Sequence, residues 1–241
     1  MSLGIRRRLG HAKWRCQEAG RRFFYRLPLP GSRRFVEHLW EDQAEMIHSR
    51  WGDDRHDYAV IGRLLDRYRP QSVLDVGCGS GRLFGLYADR GIPTVLGVDI
   101  SQRGLDIARR RFPNVPTIHS RLEELTLPGR SFDVVICNRV LQHVPPRAIR
   151  HVVERLCSMG RCVYVNELAA SDEQPENYYM VRHEYRPLFE ARGFAVLDEG
   201  RLGDQTYQVY TPDGELPVVT EVEEAEAPQG SPHQPQATHP S

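Results

Sequence analysis

Residues 73 to 83 read Val-Leu-Asp-Val-Gly-Cys-Gly-Ser-Gly-Arg-Leu, and no other stretch narrows the fold as much. The segment Ser72 to Gly77 begins with the short apolar run of a buried strand. Glycines follow at alternate positions, Gly77, Gly79 and Gly81, and then Leu83, Phe84 and Tyr87 at helical spacing. A strand, a glycine turn and a helix in that order demand a sharp bend with backbone angles that side chains disfavour. The missing Cβ atoms also let the backbone approach a ligand closely. In open α/β sheets such a turn lies at the carboxyl edge of the strands, where ligands bind. The spacing argues against two common ligands. A dinucleotide turn needs its third glycine where Arg82 stands, and a phosphate loop needs a lysine that this segment lacks.

The rest of the chain alternates strand and helix signals. Residues 54–69 carry Ile61, Leu64, Leu65 and Tyr68 on one helical face. Residues 94–99 read as a second strand. Ser101 is placed to cap a helix whose inner face is Leu105, Ala108 and Phe112. Residues 116–119 and 132–137 read as the third and fourth strands. Pro146 stands near the start of a helix lined by Ile149, Val152, Val153 and Leu156, which Gly160 ends. A fifth strand spans 161–166, a helix near 186–192 stops at Gly193, and strands 194–198 and 205–210 form a hairpin across a short Gly-Asp connection. Alternating βα units imply a parallel sheet covered by helices on both faces.

The string Asp75-Val76-Gly77-Cys78-Gly79-Ser80-Gly81 resembles the first motif of the class I S-adenosylmethionine-dependent methyltransferases. Five βα units followed by a hairpin is also that family's order of elements. The resemblance implies a Rossmann-like α/β fold: a doubly wound sheet of seven strands ordered 3-2-1-4-5-7-6, the last pair antiparallel. It implies S-adenosyl-L-methionine as cofactor. Gly77, Cys78, Gly79 and Gly81 then belong to the loop that contacts the methionine part, with Asp75 ordering that loop. Asp99, at the end of the second strand, is an acid that can accept both ribose hydroxyls. By resemblance, Ile100 packs on the adenine and Asn138 lies beside the sulfonium. Many relatives carry Asp-Ala where this chain has Arg121 and Leu122, so the adenine contact passes to Leu122 or Glu123. Residues 137–146 resemble the L-x-H segment that closes over the cofactor and supply His143. The resemblance covers residues ~50 to 211 (boundaries good to a few residues).

Methyl transfer from a sulfonium is an in-line displacement, so the protein must hold nucleophile and methyl carbon at near-attack distance. A hydroxyl acceptor also needs a base. His143 is the first candidate because imidazole titrates near neutral pH, and Glu167 is the second. His183 and the Tyr178-Tyr179 pair fall where relatives shape the acceptor pocket. The expected function is methyl transfer to a small-molecule, glycan or lipid-linked acceptor, at oxygen. The principal alternative is a non-catalytic cofactor-binding module or partner subunit. Two others are a nicotinamide oxidoreductase, which Arg82 disfavours, and an enzyme recruited to nucleic acid or lipid by a basic arm.

Composition bounds the remaining readings. The 241 residues carry a formal net charge of +0, which gives no global field toward nucleic acid or membrane. After Asn138 there is no aromatic to stack a flipped base, so a nucleic-acid acceptor is not expected. Residues 1–34 form a basic arm in which Glu18 is the lone acid, and its Trp14, Phe23, Phe24 and Tyr25 suit peripheral membrane contact. The domain proper is expected over 35–211, beginning with a lid helix that carries Phe35, Leu39 and Met46; His48, Arg50 and Trp51 stand where that lid meets the core. Residues 212–241 read as a disordered acidic and Pro-rich tail. The five cysteines lack disulfide or zinc spacing, so no metal is expected and the thiols suit a cytoplasmic protein. No secretory leader and no membrane span is expected.

Overall fold

The computed structural model describes residues 30–52, 55, 57–127, 132–169 and 180–215. Most of the basic arm, the acidic tail beyond 215 and the Tyr178-Tyr179 pair lie outside the described residues. Helix α1 (Pro30–Trp51) precedes α2 (Tyr58–Tyr68), β1 (Ser72–Val76), α3 (Phe84–Ala88), β2 (Thr94–Asp99), α4 (Gln102–Arg111) and β3 (Thr117–His119). The second half comprises β4 (Phe132–Asn138), a 3-10 turn (Leu141–His143), α5 (Ile149–Met159), β5 (Gly160–Leu168), α6 (Arg186–Glu190), β6 (Phe194–Leu202) and β7 (Gln205–Pro212). The strands form one sheet in the order β3-β2-β1-β4-β5-β7-β6, as the resemblance implies. The first five are parallel, and β7 runs antiparallel to both β5 and β6.

Strand alternation sends side chains to two cores. Val134 and Ile136 join Ile61, Leu65, Phe84, Tyr87 and Leu105 on one face. Val135 and Cys137 join Leu74, Val152, Leu156, Phe189 and Phe194 on the other. Both faces of β4 are therefore buried, which is why it reads as a continuous apolar run. A fully buried side chain of this kind contributes roughly 1.5–3 kcal/mol. The register brings the carboxyl ends together: Val76 stands opposite both Val98 and Cys137, and Asn138 opposite Asn166. Every loop that leaves this edge is thereby positioned by the core.

Local chemistry sets the element ends. Helix α2 stops at Arg69, which takes a left-handed φ of 48°, because Pro70 disfavours the right-handed conformation before it. The Ser101 hydroxyl caps α4 by accepting the Gly104 N–H at 3.0 Å. Helix α5 starts at Ile149, after a turn closed by the Ala148 N–H on the Pro145 carbonyl, so Pro146 lies in that turn and not in the first helical turn. The hairpin strands run longer than their apolar signal. Asp198, Glu199 and Arg201 pair in register with β7 although the apolar alternation has ended.

Candidate active site

The glycine turn between β1 and α3 has positive φ at all three glycines: 69° at Gly77, 52° at Gly79 and 73° at Gly81. A Cβ on Gly77 would stand 2.2 Å from Val140 Cγ2, and one on Gly81 would stand 2.7 Å from Phe84 Cδ2. Around Gly79 nothing lies within 4 Å of that position, so the turn is open where the backbone is most exposed to a ligand. The Gly77 and Cys78 N–H groups donate to the Val98 carbonyl at 2.7 and 3.1 Å. Asp99 completes the tie between the two turns: Oδ2 accepts the Gly79 N–H and Oδ1 the Ser101 N–H, each at 2.8 Å. Burial pushes the Asp99 carboxyl up, and these backbone donors oppose it. An ionised carboxylate has about four acceptor positions, so both oxygens retain capacity for a further hydroxyl.

A cavity of about 280 Å³ opens on this turn. Gly77, Gly79, Asp99, Ile100, Leu122, Glu123 and His143, all expected at the site, are among its walls. Helix α1 roofs it with Trp40, Ala44 and Ile47, one face of the helix. Polar ties hold the roof down. Glu41 Oε2 accepts the Ser101 hydroxyl at 3.0 Å and the Arg103 N–H at 3.1 Å. Glu37 pairs with Arg121, and His48 Nδ1 meets the Ser80 hydroxyl at 3.1 Å. The lid expected from Leu39 and Met46 is thus present with a different inner face, and Met46 is exposed. Arg50 lies over the exposed Trp51 ring at 4.8 Å, and neither residue is among the cavity's walls.

A family model for a methyltransferase domain matches residues 73–161, which begin at β1 and reach the start of β5. These residues thus carry a methyltransferase domain. It is 43% identical over 86 residues to an uncharacterized methyltransferase of Mycobacterium tuberculosis, a stretch covering 34% of this chain and 43% of that protein. It is 34% identical over 134 residues to a ubiquinone biosynthesis O-methyltransferase of Neisseria meningitidis, covering 52% of this chain and 55% of that one. The chain thus spans about half the length of the curated relatives it matches. A solved structure of similar fold is the 1,6-didemethyltoxoflavin-N1-methyltransferase of Burkholderia thailandensis, bound to 1,6-didemethyltoxoflavin and S-adenosylhomocysteine. It has a TM-score of 0.61 at 17% identity, with 76% of this chain and 90% of that chain covered.

Five expected site residues stand behind the cavity, not on its walls. Asp75 is buried beneath the turn beside Tyr87, and burial pushes its carboxyl up to about 7 against the charge of Arg82. Cys78 turns its thiol into the core, and Gly81 packs against Phe84. Asn138 has its amide engaged: Nδ2 donates to Asp57 at 2.6 Å and Oδ1 accepts from Asn166 at 2.9 Å. Glu167 accepts the N–H groups of Val140 and Leu141, each at 2.7 Å, and of Gln142 at 3.1 Å. It therefore caps the 3-10 turn that carries His143. Burial pushes it up to about 8, opposed by those three donors.

His143 faces the cavity with its ring 4.6 Å from that of Trp40, edge to face, while Gln142 Nε2 stands 3.2 Å from its Nε2. His183 is half-buried beside this segment, where its Nε2–H donates to the Val144 carbonyl at 2.8 Å. Sequence reasoning missed Arg139 and Arg147 on the walls and the buried carboxylate of Asp57. Asp57 had no detectable signal, because its partners come from distant segments. Arg82 had one: it is a charged residue directly after the glycine turn, where a helix is about to be buried.

Proposed function

We propose that this methyltransferase transfers the methyl group of S-adenosylmethionine to an oxygen of a small-molecule, glycan or lipid-linked acceptor. The observation that carries the reading is the Gly79–Asp99 tie at the floor of the cavity: an open backbone turn beside a half-buried carboxylate with acceptor capacity left for vicinal hydroxyls. The donor fits these residues. Asp99 would hold its ribose, Ile100 and Leu122 would flank its base, and the turn at Gly77 and Gly79 would carry its methionine end. S-adenosylmethionine supplies a methyl carbon on a sulfonium, whose departure as a neutral thioether needs no acid.

The chain's own residues supply position and a proton acceptor. The α1 roof lays the apolar side chains of Trp40, Ala44 and Ile47 over the cavity, and an apolar wall strengthens the polar contacts inside it. His143 takes the proton of an acceptor hydroxyl as the oxygen attacks. Glu167 leaves that role to His143, because both of its oxygens are occupied by backbone N–H groups. The relation to ubiquinone biosynthesis O-methyltransferases supports oxygen as the target.

The test uses radiolabelled donor with a panel of phenols, catechols and sugars, on the wild type and His143→Asn. A positioned general base contributes typically ~10²–10⁴-fold. The variant should lose that factor in kcat, together with the acid limb of the pH profile, while its affinity for S-adenosylhomocysteine holds. Unchanged kcat and pH profile would remove the base role. Tight donor binding with no turnover on any acceptor would favour the non-catalytic module.

A further inference from the structure

The buried carboxylate of Asp57 takes no part in the chemistry above, yet it is tied to the segments that leave β1 and β4 beside the cavity. Asp57 is fully buried at the start of α2. Arg82, the first residue after the glycine turn, grips it with both terminal nitrogens, at 2.7 and 2.9 Å. Asn138, at the end of β4, donates to the same carboxylate at 2.6 Å. Asn166, at the end of β5, donates to Asn138 Oδ1 at 2.9 Å and to Gln205 Oε1, at the start of β7, at 2.8 Å. An ionised carboxylate only accepts. Asn138 must therefore turn its nitrogen to Asp57 and its oxygen to Asn166, and Asn166 must turn its nitrogen to both neighbours. One carboxylate thus orients side-chain amides along this edge of the sheet.

Arg139 extends the arrangement into the cavity. Its backbone takes a left-handed φ of 61°, which a non-glycine residue holds only when its surroundings impose it. Its N–H donates to the Asn166 carbonyl at 2.7 Å. Its guanidinium lies 3.7 Å from Asp57, and the residue forms part of the cavity wall.

Burying an ion pair is a poor route to stability, since well-packed apolar residues of the same volume are often as stable. What it secures here is geometry. We propose that Asp57 is a positioning residue: through the two-pronged grip of Arg82 it fixes the glycine turn, and through Arg139 the cavity wall that follows β4, relative to the ends of β4 and β5. This rests on the donor-site reading given under Proposed function. A donor anchored by the backbone of that turn is held less tightly when the turn is loosened.

Arg82→Lys separates position from charge. Lysine keeps the buried carboxylate neutralised but replaces the rigid fork by a point charge. The experiment measures S-adenosylhomocysteine affinity by calorimetry for the full-length wild type, Arg82→Lys and Asp57→Asn. The temperature is one at which circular dichroism shows all three folded; donor KM and kcat are measured alongside. Arg82→Lys should bind about tenfold more weakly, as expected for displaced anchoring groups. Its donor KM should rise while kcat stays within about twofold, the pattern of lost binding rather than lost chemistry. Asp57→Asn should lower both affinity and melting temperature. Wild-type affinity in either folded variant overturns the positioning role and leaves the pair as scaffold only. A wild type that does not bind S-adenosylhomocysteine overturns instead the donor-site reading on which the inference rests.

Discussion

Asp75, Asp99 and Glu167 place three carboxyl groups at the same edge of the sheet, Asp75 and Glu167 buried and Asp99 half-buried, and their surroundings divide their work. Asp99 holds two backbone N–H groups and still faces the cavity, so it is the one suited to a ligand's hydroxyls. Asp99→Ala should weaken S-adenosylhomocysteine binding by roughly 1.5–3 kcal/mol in a calorimetric titration, the range for hydrogen bonds to a charged group. Asp75 lies under the turn, and its carboxyl, pushed up to about 7 by burial, keeps its proton in the folded chain well above the pH at which the unfolded chain releases it. Between pH ~4 and ~7 the folded state thus binds more protons than the unfolded one, so Asp75 makes stability fall as pH rises through that window. Glu167, pushed up to about 8, acts in the same direction. Melting temperatures of Asp75→Asn across that range should show a flatter decline than the wild type, and an equally steep decline would show that Asp75 titrates as an ordinary surface acid. Glu167→Gln puts an amide where three backbone N–H groups need acceptors. That should cost about 1–3 kcal/mol in a denaturant titration. A stability equal to wild type would mean that the 3-10 turn does not depend on it.

At the scale of elements, α1 decides who reaches the cavity. Trp40, Ala44 and Ile47 cover it with an apolar face, while Glu37, Glu41 and His48 hold the helix by partly exposed polar ties. Exposed ties of this kind are worth about 0–1 kcal/mol each and are screened by salt. The roof should open readily, and Glu41→Ala should speed S-adenosylhomocysteine dissociation by about two- to fivefold in stopped-flow traces, with little change in melting temperature. A dissociation rate indifferent to both Glu41→Ala and salt would mean that the ligand does not leave past α1. The sequence disclosed that a helix lies here but not which face it buries. Trp40 and Ile47 read no differently from Leu39 and Met46 until the partner surface is known. The sheet was far more legible, because strands buried on both faces advertise themselves as apolar runs. The outer hairpin was less so, since Asp198, Glu199 and Arg201 carry no apolar signal although the backbone pairing continues through them.

Across the whole molecule, the order of elements places every cavity loop at the carboxyl edge of β1, β2, β3 and β4, the edge where open α/β sheets bind ligands. That much follows from the alternation of strand and helix and from the glycine turn, both readable in the chain. The tie of Asp57 to Arg82 was not readable, because its members come from residues 57, 82, 138, 166 and 205, and only folding brings them together. Among the described residues no helix is long and apolar enough to cross a membrane. The measurement that bears most directly on the whole account is a titration of the purified full-length chain with S-adenosylhomocysteine, followed by heat. One ligand should bind per chain, and Asp99→Ala should lose at least about tenfold in affinity. A chain that takes up neither this ligand nor S-adenosylmethionine, or an Asp99→Ala variant that binds as well as its parent, would contradict it.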